Sequence, residues 1–119
     1  MQIYTRSGQH RSEVREKARG GEGRITLLHF LEKEQLAPHS RLLCKMVMEP
    51  GNSMGFHTHH DEGEFFYFLS GVAKIFDGEQ ELLFYPGDTC YTPSGSSHSI
   101  EADGEETLEY LALVLSTAP

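Results

Sequence analysis

From Arg24 onward the chain is cut into short apolar runs by turn formers: Pro50-Gly51, Gly63, Ser70-Gly71, Asp77-Gly78, Pro86-Gly87, Pro93 and Asp103-Gly104. Breaks this close leave no helical period of useful length, whereas short strands fit between them. The runs fall at 25–31, 41–48, 56–60, 64–69, 72–76, 81–85, 89–92, 98–102 and 106–115, about nine strands. Asp77-Gly78 between two of them is a hairpin signal. Short strands with such turns predict an all-β fold, a sandwich or barrel. Phe65-Phe66-Tyr67-Phe68-Leu69 is apolar on both faces. One face fills the interior, and the other needs a cover. That cover is either the N-terminal segment or a second subunit, which leads to the expectation of a homodimer.

At 119 residues the chain fits one domain. The expected division is a polar arm over 1–24 and a barrel over 25–119. The arm carries Ser12, a run of charges to Arg19, and Gly20-Gly21. It reads either as a short helix capped by Ser12 and stopped by Gly20 or as a mobile, solvated segment. The net charge is -8, from 10 basic and 18 acidic residues. Such a surface repels nucleic-acid phosphates and anionic lipid, so neither is an expected partner. A small-molecule ligand or substrate is. Cys44 and Cys90 form no C-x-x-C, the start of the chain lacks an apolar signal core, and no run is long enough to span a bilayer. The expected compartment is the cytoplasm, with both thiols free.

Two blocks carry the chemistry: Gly51-x5-His57-x-His59-x4-Glu64-x6-Gly71, and Gly87-x5-Pro93-x-Gly95-x2-His98. Alternation along a strand points His57 and His59 to one side and His60 to the other. Glu64 opens the returning strand, and His98 begins a later one. A carboxylate buried beside imidazoles calls for a cation. Three nitrogens and one oxygen suit one divalent transition metal per chain: Fe, Mn, Ni, Cu or Zn. Four protein ligands leave open positions on an octahedral ion and close the shell of a tetrahedral zinc. Glu62 has the parity of Glu64, but Asp61-Glu62-Gly63 reads as a turn. Cys90 and Thr92 share a strand face near His98, where a thiol either lines the cavity or packs as a small hydrophobe. His29 and Tyr110 are acid–base candidates by residue type only.

The two blocks resemble the paired motifs of the cupin superfamily, G-x5-H-x-H-x3-4-E-x6-G and G-x5-P-x-G-x2-H-x3-N. Every fixed position is matched except the last, where Ala102 stands in place of asparagine. The motifs cover residues 51–102, and the strand pattern extends the likeness to roughly 25–115. The resemblance implies a double-stranded jelly-roll β-barrel, often dimeric through exchanged N-terminal strands, with metal ligands His57, His59, Glu64 and His98. It does not imply one reaction, since function lives in the site rather than in the barrel. Three readings follow. One is a mononuclear metalloenzyme with dioxygenase-like chemistry foremost, Glu64 serving as ligand and transient base, and metal-dependent isomerase or decarboxylase chemistry behind it. The second is a small-molecule binding or sensing module without turnover. The third is a closed structural metal site.

Overall fold

A computed structural model describes residues 1–117, so the last two residues of the expected 25–119 domain lie outside the described part. Ten strands are described: β1 Arg11–Glu16, β2 Arg24–His29, β3 Ser40–Met48, β4 Ser53–Thr58, β5 Glu62–Ser70, β6 Val72–Phe76, β7 Glu81–Phe84, β8 Thr89–Thr92, β9 Ser97–Asp103 and β10 Leu108–Ser116. They form a six-stranded sheet ordered β1-β2-β3-β10-β5-β8 and a four-stranded sheet ordered β4-β9-β6-β7. Every pairing is antiparallel. The two sheets face each other as a jelly-roll β-barrel.

The core is the product of strict alternation. In β3, Leu42, Cys44, Met46 and Met48 point inward; in β10, Leu108, Tyr110, Ala112 and Val114 do. Phe66 and Phe68 of β5 join them, and Ala73, Ile75, Ile100 and Ala102 close the core from the smaller sheet. Small Ala112 lies between the bulky Tyr110 and Val114, which lets facing side chains interdigitate. Phe66 and Tyr110 meet edge to face with centroids 4.7 Å apart. At the β5–β6 turn Gly71 has φ 73°, and a Cβ there would stand 2.5 Å from the Thr107 carbonyl oxygen, so only glycine fits.

Two expectations need correction. Residues 11–16 are not a helix or an unpaired arm: they form β1, paired in full register with β2 from Arg11↔His29 to Glu16↔Arg24, and all but Glu13 stay exposed. An edge strand with both faces largely open to water carries charged residues that read in the sequence as a solvated segment. The Asp61-Glu62-Gly63 turn is also shorter than expected. Asp61 alone takes the left-handed conformation (φ 58°), and Glu62 already belongs to β5. At the position where the motif it resembles has asparagine, Ala102 packs its methyl group into the core. Its backbone still ties down the preceding turn: its carbonyl accepts from Gly51 N–H and its N–H donates to Asn52 O, both at 3.0 Å.

Candidate metal centre

β4 and β9 are neighbours in the smaller sheet, and their register sets His57 directly opposite His98. The pairing shifts between Met54 and His57, a bulge that turns Phe56 outward to lie against Phe76 at 5.7 Å and turns His57 toward the barrel interior. Two residues on, His59 passes the end of β4. Its N–H donates to Ser96 O at 3.0 Å, and its carbonyl accepts from Gly95 N–H at 2.7 Å. Asp61 then reverses the chain, with its N–H on Ser94 Oγ at 3.0 Å. Aspartate adopts this conformation more readily than most residues. β5 returns across the interior and delivers Glu64.

The four side chains meet. Their ligand atoms all lie within 4.8 Å of one another. The three imidazole rings form a near-equilateral set, with centroids 5.0, 4.8 and 4.9 Å apart. Glu64 Oε1 lies 3.1 Å from His59 Nε2 and 3.3 Å from His98 Nε2. His59, Glu64 and His98 are buried, and His57 is half-buried.

Each ring is held from behind through Nδ1. His57 Nδ1–H donates to Gly55 O at 2.7 Å. His59 Nδ1 meets Glu62 Oε1 at 3.2 Å, and His98 Nδ1 meets Thr92 Oγ1 at 3.0 Å. A carbonyl only accepts, so His57 carries its proton on Nδ1 and presents a lone pair at Nε2. The carboxylate behind His59 sets the same tautomer. The Nε2 atoms of His59 and His98 face each other at 3.1 Å. Beside a carboxylate, a contact that close is satisfied by a proton on one of the two nitrogens or by a cation held among them. The donor set fits a divalent transition metal with one oxygen and three nitrogen ligands.

The electrostatics follow from the same close packing of imidazoles and carboxylate. Burial pushes the Glu64 carboxyl up, but hydrogen bonds from His59 and His98 and their charge outweigh it and hold the group at about 2. The hydrogen bond to Glu64 raises His59 against the opposing effect of burial, with Glu62 adding to the rise. Burial lowers His57, helped by the neighbouring imidazoles and partly opposed by the Gly55 carbonyl. A proton on His59 thus does for the carboxylates what a metal would do for the whole cluster, and a metal bound here would compete with that proton.

Phe66 forms the floor, stacked on the His98 ring at 5.6 Å with an interplanar angle of 11°. It serves both core and site, whereas Phe68 stacks on Phe84 and belongs to the core. A small cavity of about 130 Å³ opens on the cluster, bounded by His57, His59, Glu64, Met46 and Met54. Arg15, Arg19 and Arg41 stand around it. A second cavity of about 300 Å³ reaches His98 from the other side, past Cys90, Thr92 and Phe84.

Other candidates fall elsewhere. His29 pairs with Glu13 at 2.8 Å. His60 is exposed. Tyr110 is fully buried, and its hydroxyl meets no hydrogen-bond partner among the described residues. Cys90 lines the larger cavity, but burial pushes its thiol up to about 12. The three arginines and Glu62 were not legible as site residues. For Glu62 a signal was present, since it stands three residues after His59 with the strand parity of Glu64.

A family model described as the Cupin domain matches residues 44–114. A Thermotoga maritima protein named oxalate-binding protein is 38% identical over 113 residues, covering 95% of this chain and 93% of that one. A Thermotoga maritima crystal structure described as a predicted oxalate decarboxylase superposes with a TM-score of 0.89 at 36% identity, covering 97% of this chain and 99% of that one. The polyketide cyclase RemF from Streptomyces resistomycificus shares the fold at a TM-score of 0.80 and 17% identity, covering 99% of this chain and 81% of that one. Among the described residues no helix is long and apolar enough to cross a membrane.

Proposed function

The chain belongs to the cupin family, and from that premise we propose that it holds one divalent transition metal on His57, His59, Glu64 and His98 and binds a small dicarboxylate of the oxalate class beside it. The observation that carries this reading is the lining of the smaller cavity, where Arg15, Arg19 and Arg41 surround a space of about 130 Å³ that opens on three of the four ligands. Guanidinium groups match carboxylates in shape and charge, and the space suits a ligand of a few heavy atoms. The name of the Thermotoga maritima relative supports the same ligand class.

A metal bound here would supply Lewis-acid attraction for a ligand's oxygen donors. The chain's own residues do the rest. The Nδ1 contacts hold the imidazoles facing inward, Phe66 and Met46 keep the floor dry, and the arginines select a compact anion. Acid–base turnover of the isomerase or decarboxylase kind would also need a group that gives or takes a proton near neutral pH. Glu64, held at about 2, is a poor base and serves as a ligand. The other groups described around this cavity are the two histidine ligands, arginines and apolar side chains. Binding without acid–base turnover is therefore the favoured reading. The dioxygenase-like, isomerase and decarboxylase chemistries stand behind it.

The reading includes a homodimer and a cytoplasmic setting. Leu43, Leu111, Leu113 and Phe65 point outward from the middle of the larger sheet, beside the more exposed Tyr67, Leu69 and Tyr91. The charges on this face include Lys45 and Glu109, paired with each other at 3.0 Å. A charge already paired within the face does not oppose a second copy of the same surface. Both cysteines are free, which suits a reducing compartment.

Calorimetric titration of oxalate, malonate and acetate into chelator-stripped and Mn²⁺-loaded protein tests the function. The expected result is oxalate binding that needs the metal and weakens at least tenfold in Arg19→Ala. Equal binding of acetate and oxalate, or no binding, rejects the ligand class. Oxygen uptake by the Fe²⁺-loaded protein with oxalate or catechol would move the reading to the dioxygenase class.

A further inference from the structure

Glu62 is not among the four ligands, yet it touches both the site and the cavity wall. Its Oε1 lies 3.2 Å from His59 Nδ1 and also accepts from Arg41 Nη2 at 2.9 Å, while its Oε2 accepts from Arg41 Nε at 2.7 Å. Arg41 in turn lines the small cavity beside His59 and Glu64. One carboxylate therefore joins a cation at the ligand's entry to an imidazole that faces the metal. An isolated surface pair of this kind is worth little. The two-pronged contact and the third partner give this one a defined geometry and a path to the site.

We propose that Glu62 is a positioning residue for His59, and that Arg41 senses an anion in the cavity and tunes the metal's grip through Glu62. Arg41 and His59 share the same carboxylate. When a dicarboxylate draws the guanidinium toward itself, Glu62 gives more of its acceptor strength to His59 Nδ1–H. The imidazole becomes a stronger donor at Nε2. Anion and metal are thereby linked through the chain as well as through any direct contact. Linkage makes the effect reciprocal: each ligand tightens the other by the same factor. The sensing half of this inference rests on the dicarboxylate reading, and the positioning half does not.

The experiment is a double-mutant cycle on metal affinity at fixed pH. Mn²⁺ is titrated into chelator-stripped wild type, Arg41→Gln, Glu62→Gln and the double variant, with and without oxalate. Circular dichroism checks that each is folded, and Arg41→Lys replaces Arg41→Gln if that variant is not. Without oxalate, Glu62→Gln is expected to weaken Mn²⁺ about 10- to 100-fold, the range for losing a partner behind a ligand. Arg41→Gln is expected to tighten Mn²⁺ severalfold, because Glu62 is then shared with His59 alone. In the Glu62→Gln background the Arg41 change should have no effect. A residue that only shapes the fold would weaken the metal instead, and a plain charge effect would persist without Glu62. With oxalate present, wild type should gain more Mn²⁺ affinity than Glu62→Gln does. Additive effects in the cycle, a Glu62→Gln change under twofold, or no Mn²⁺ binding by wild type overturns the proposal. If the cycle behaves as expected but oxalate alters none of the four affinities, the sensing half and the dicarboxylate reading fall, and the positioning role of Glu62 stands.

Discussion

Replacing Glu64 with glutamine keeps its shape and removes its charge, and the structure fixes what should follow. In chelator-stripped protein the carboxyl sits at about 2 against an ordinary 4.5, a difference of about 2.5 units. At about 1.4 kcal/mol per unit, that is on the order of 3 kcal/mol favouring the ionised form. The side chain is only 7% exposed, so solvent screens little of it. Because the folded value is depressed, this stabilisation is present above the unfolded value of about 4.5 and is lost as pH falls toward about 2. Urea unfolding of stripped Glu64→Gln should show a loss of stability on that order at pH 7 and a flatter decline between pH 4.5 and 2. Metal gives a second measure. At a concentration of 100 times the dissociation constant, mass action stabilises wild type by about 2.7 kcal/mol. If losing the one anionic ligand weakens binding about 100-fold, only about 0.4 kcal/mol remains. The difference of roughly 2.3 kcal/mol is about 9 °C in melting temperature for a domain of this size. Differential scanning calorimetry across a Mn²⁺ or Zn²⁺ titration reads it. A melting temperature that rises equally in wild type and Glu64→Gln would refute the claim that Glu64 completes a cation site.

Gly21→Ala should destabilise the protein by about 1–3 kcal/mol, the range for forced overpacking, because a Cβ there would stand 2.1 Å from the Ser53 carbonyl oxygen; chemical denaturation checks it. Alkylation by iodoacetamide at pH 8 should be slow at both cysteines in the folded protein and fast in urea, since burial pushes both thiols up to about 12; mass spectrometry of the labelled chain would show it. Hydrogen bonds from Arg15 and then His29 lower Glu13, so its contribution to the β1–β2 pairing is present above the ordinary value of 4.5 and lost as pH falls below it. Hydrogen exchange of β1 amides, corrected for intrinsic rates, should therefore speed up between pH 5 and 3 more than exchange in β10 does.

The barrel was legible because its signals are local. Gly71 with positive φ, the Asp77-Gly78 hairpin and Pro86-Gly87 mark strand ends wherever the strands go. The clustering of His57, His59, Glu64 and His98 was legible because strand parity and spacing survive translation into space, and His57 and His98 do pair across β4 and β9. What stayed hidden depends on contacts between distant segments. β1 is an edge strand whose charges suit both water and its neighbour β2, so no apolar alternation announced it. Arg15 and Arg19 look like solvated charge in the sequence and line a cavity in the fold. Glu62 was set aside by treating Asp61 and Glu62 as one turn, when a single left-handed residue reverses the chain.

The arginines also resolve an apparent conflict between an acidic protein and an anionic ligand. A net charge of -8 governs long-range encounters, and beyond about 8 Å physiological salt screens much of it. A polyanion must lie along a surface and meets that field over its whole length. A small dicarboxylate entering a cavity meets the nearest charges instead, in a medium where they act more strongly than in water. There Arg15, Arg19 and Arg41 outnumber Glu64, the only carboxylate among the cavity's described lining residues. Glu62 is a direct partner of Arg41, and Glu13 of Arg15. Those two pairings leave Arg19 as the least neutralised of the three, since its described contacts include no carboxylate. On the proposed reading, anion selection would fall most heavily on a residue of the 3₁₀ turn Ala18–Gly20, which packs closely against β4 at Gly21 and Gly55. In the proposed dicarboxylate reading, the segment that looked least informative in the sequence is the one that would set which ligands the barrel admits.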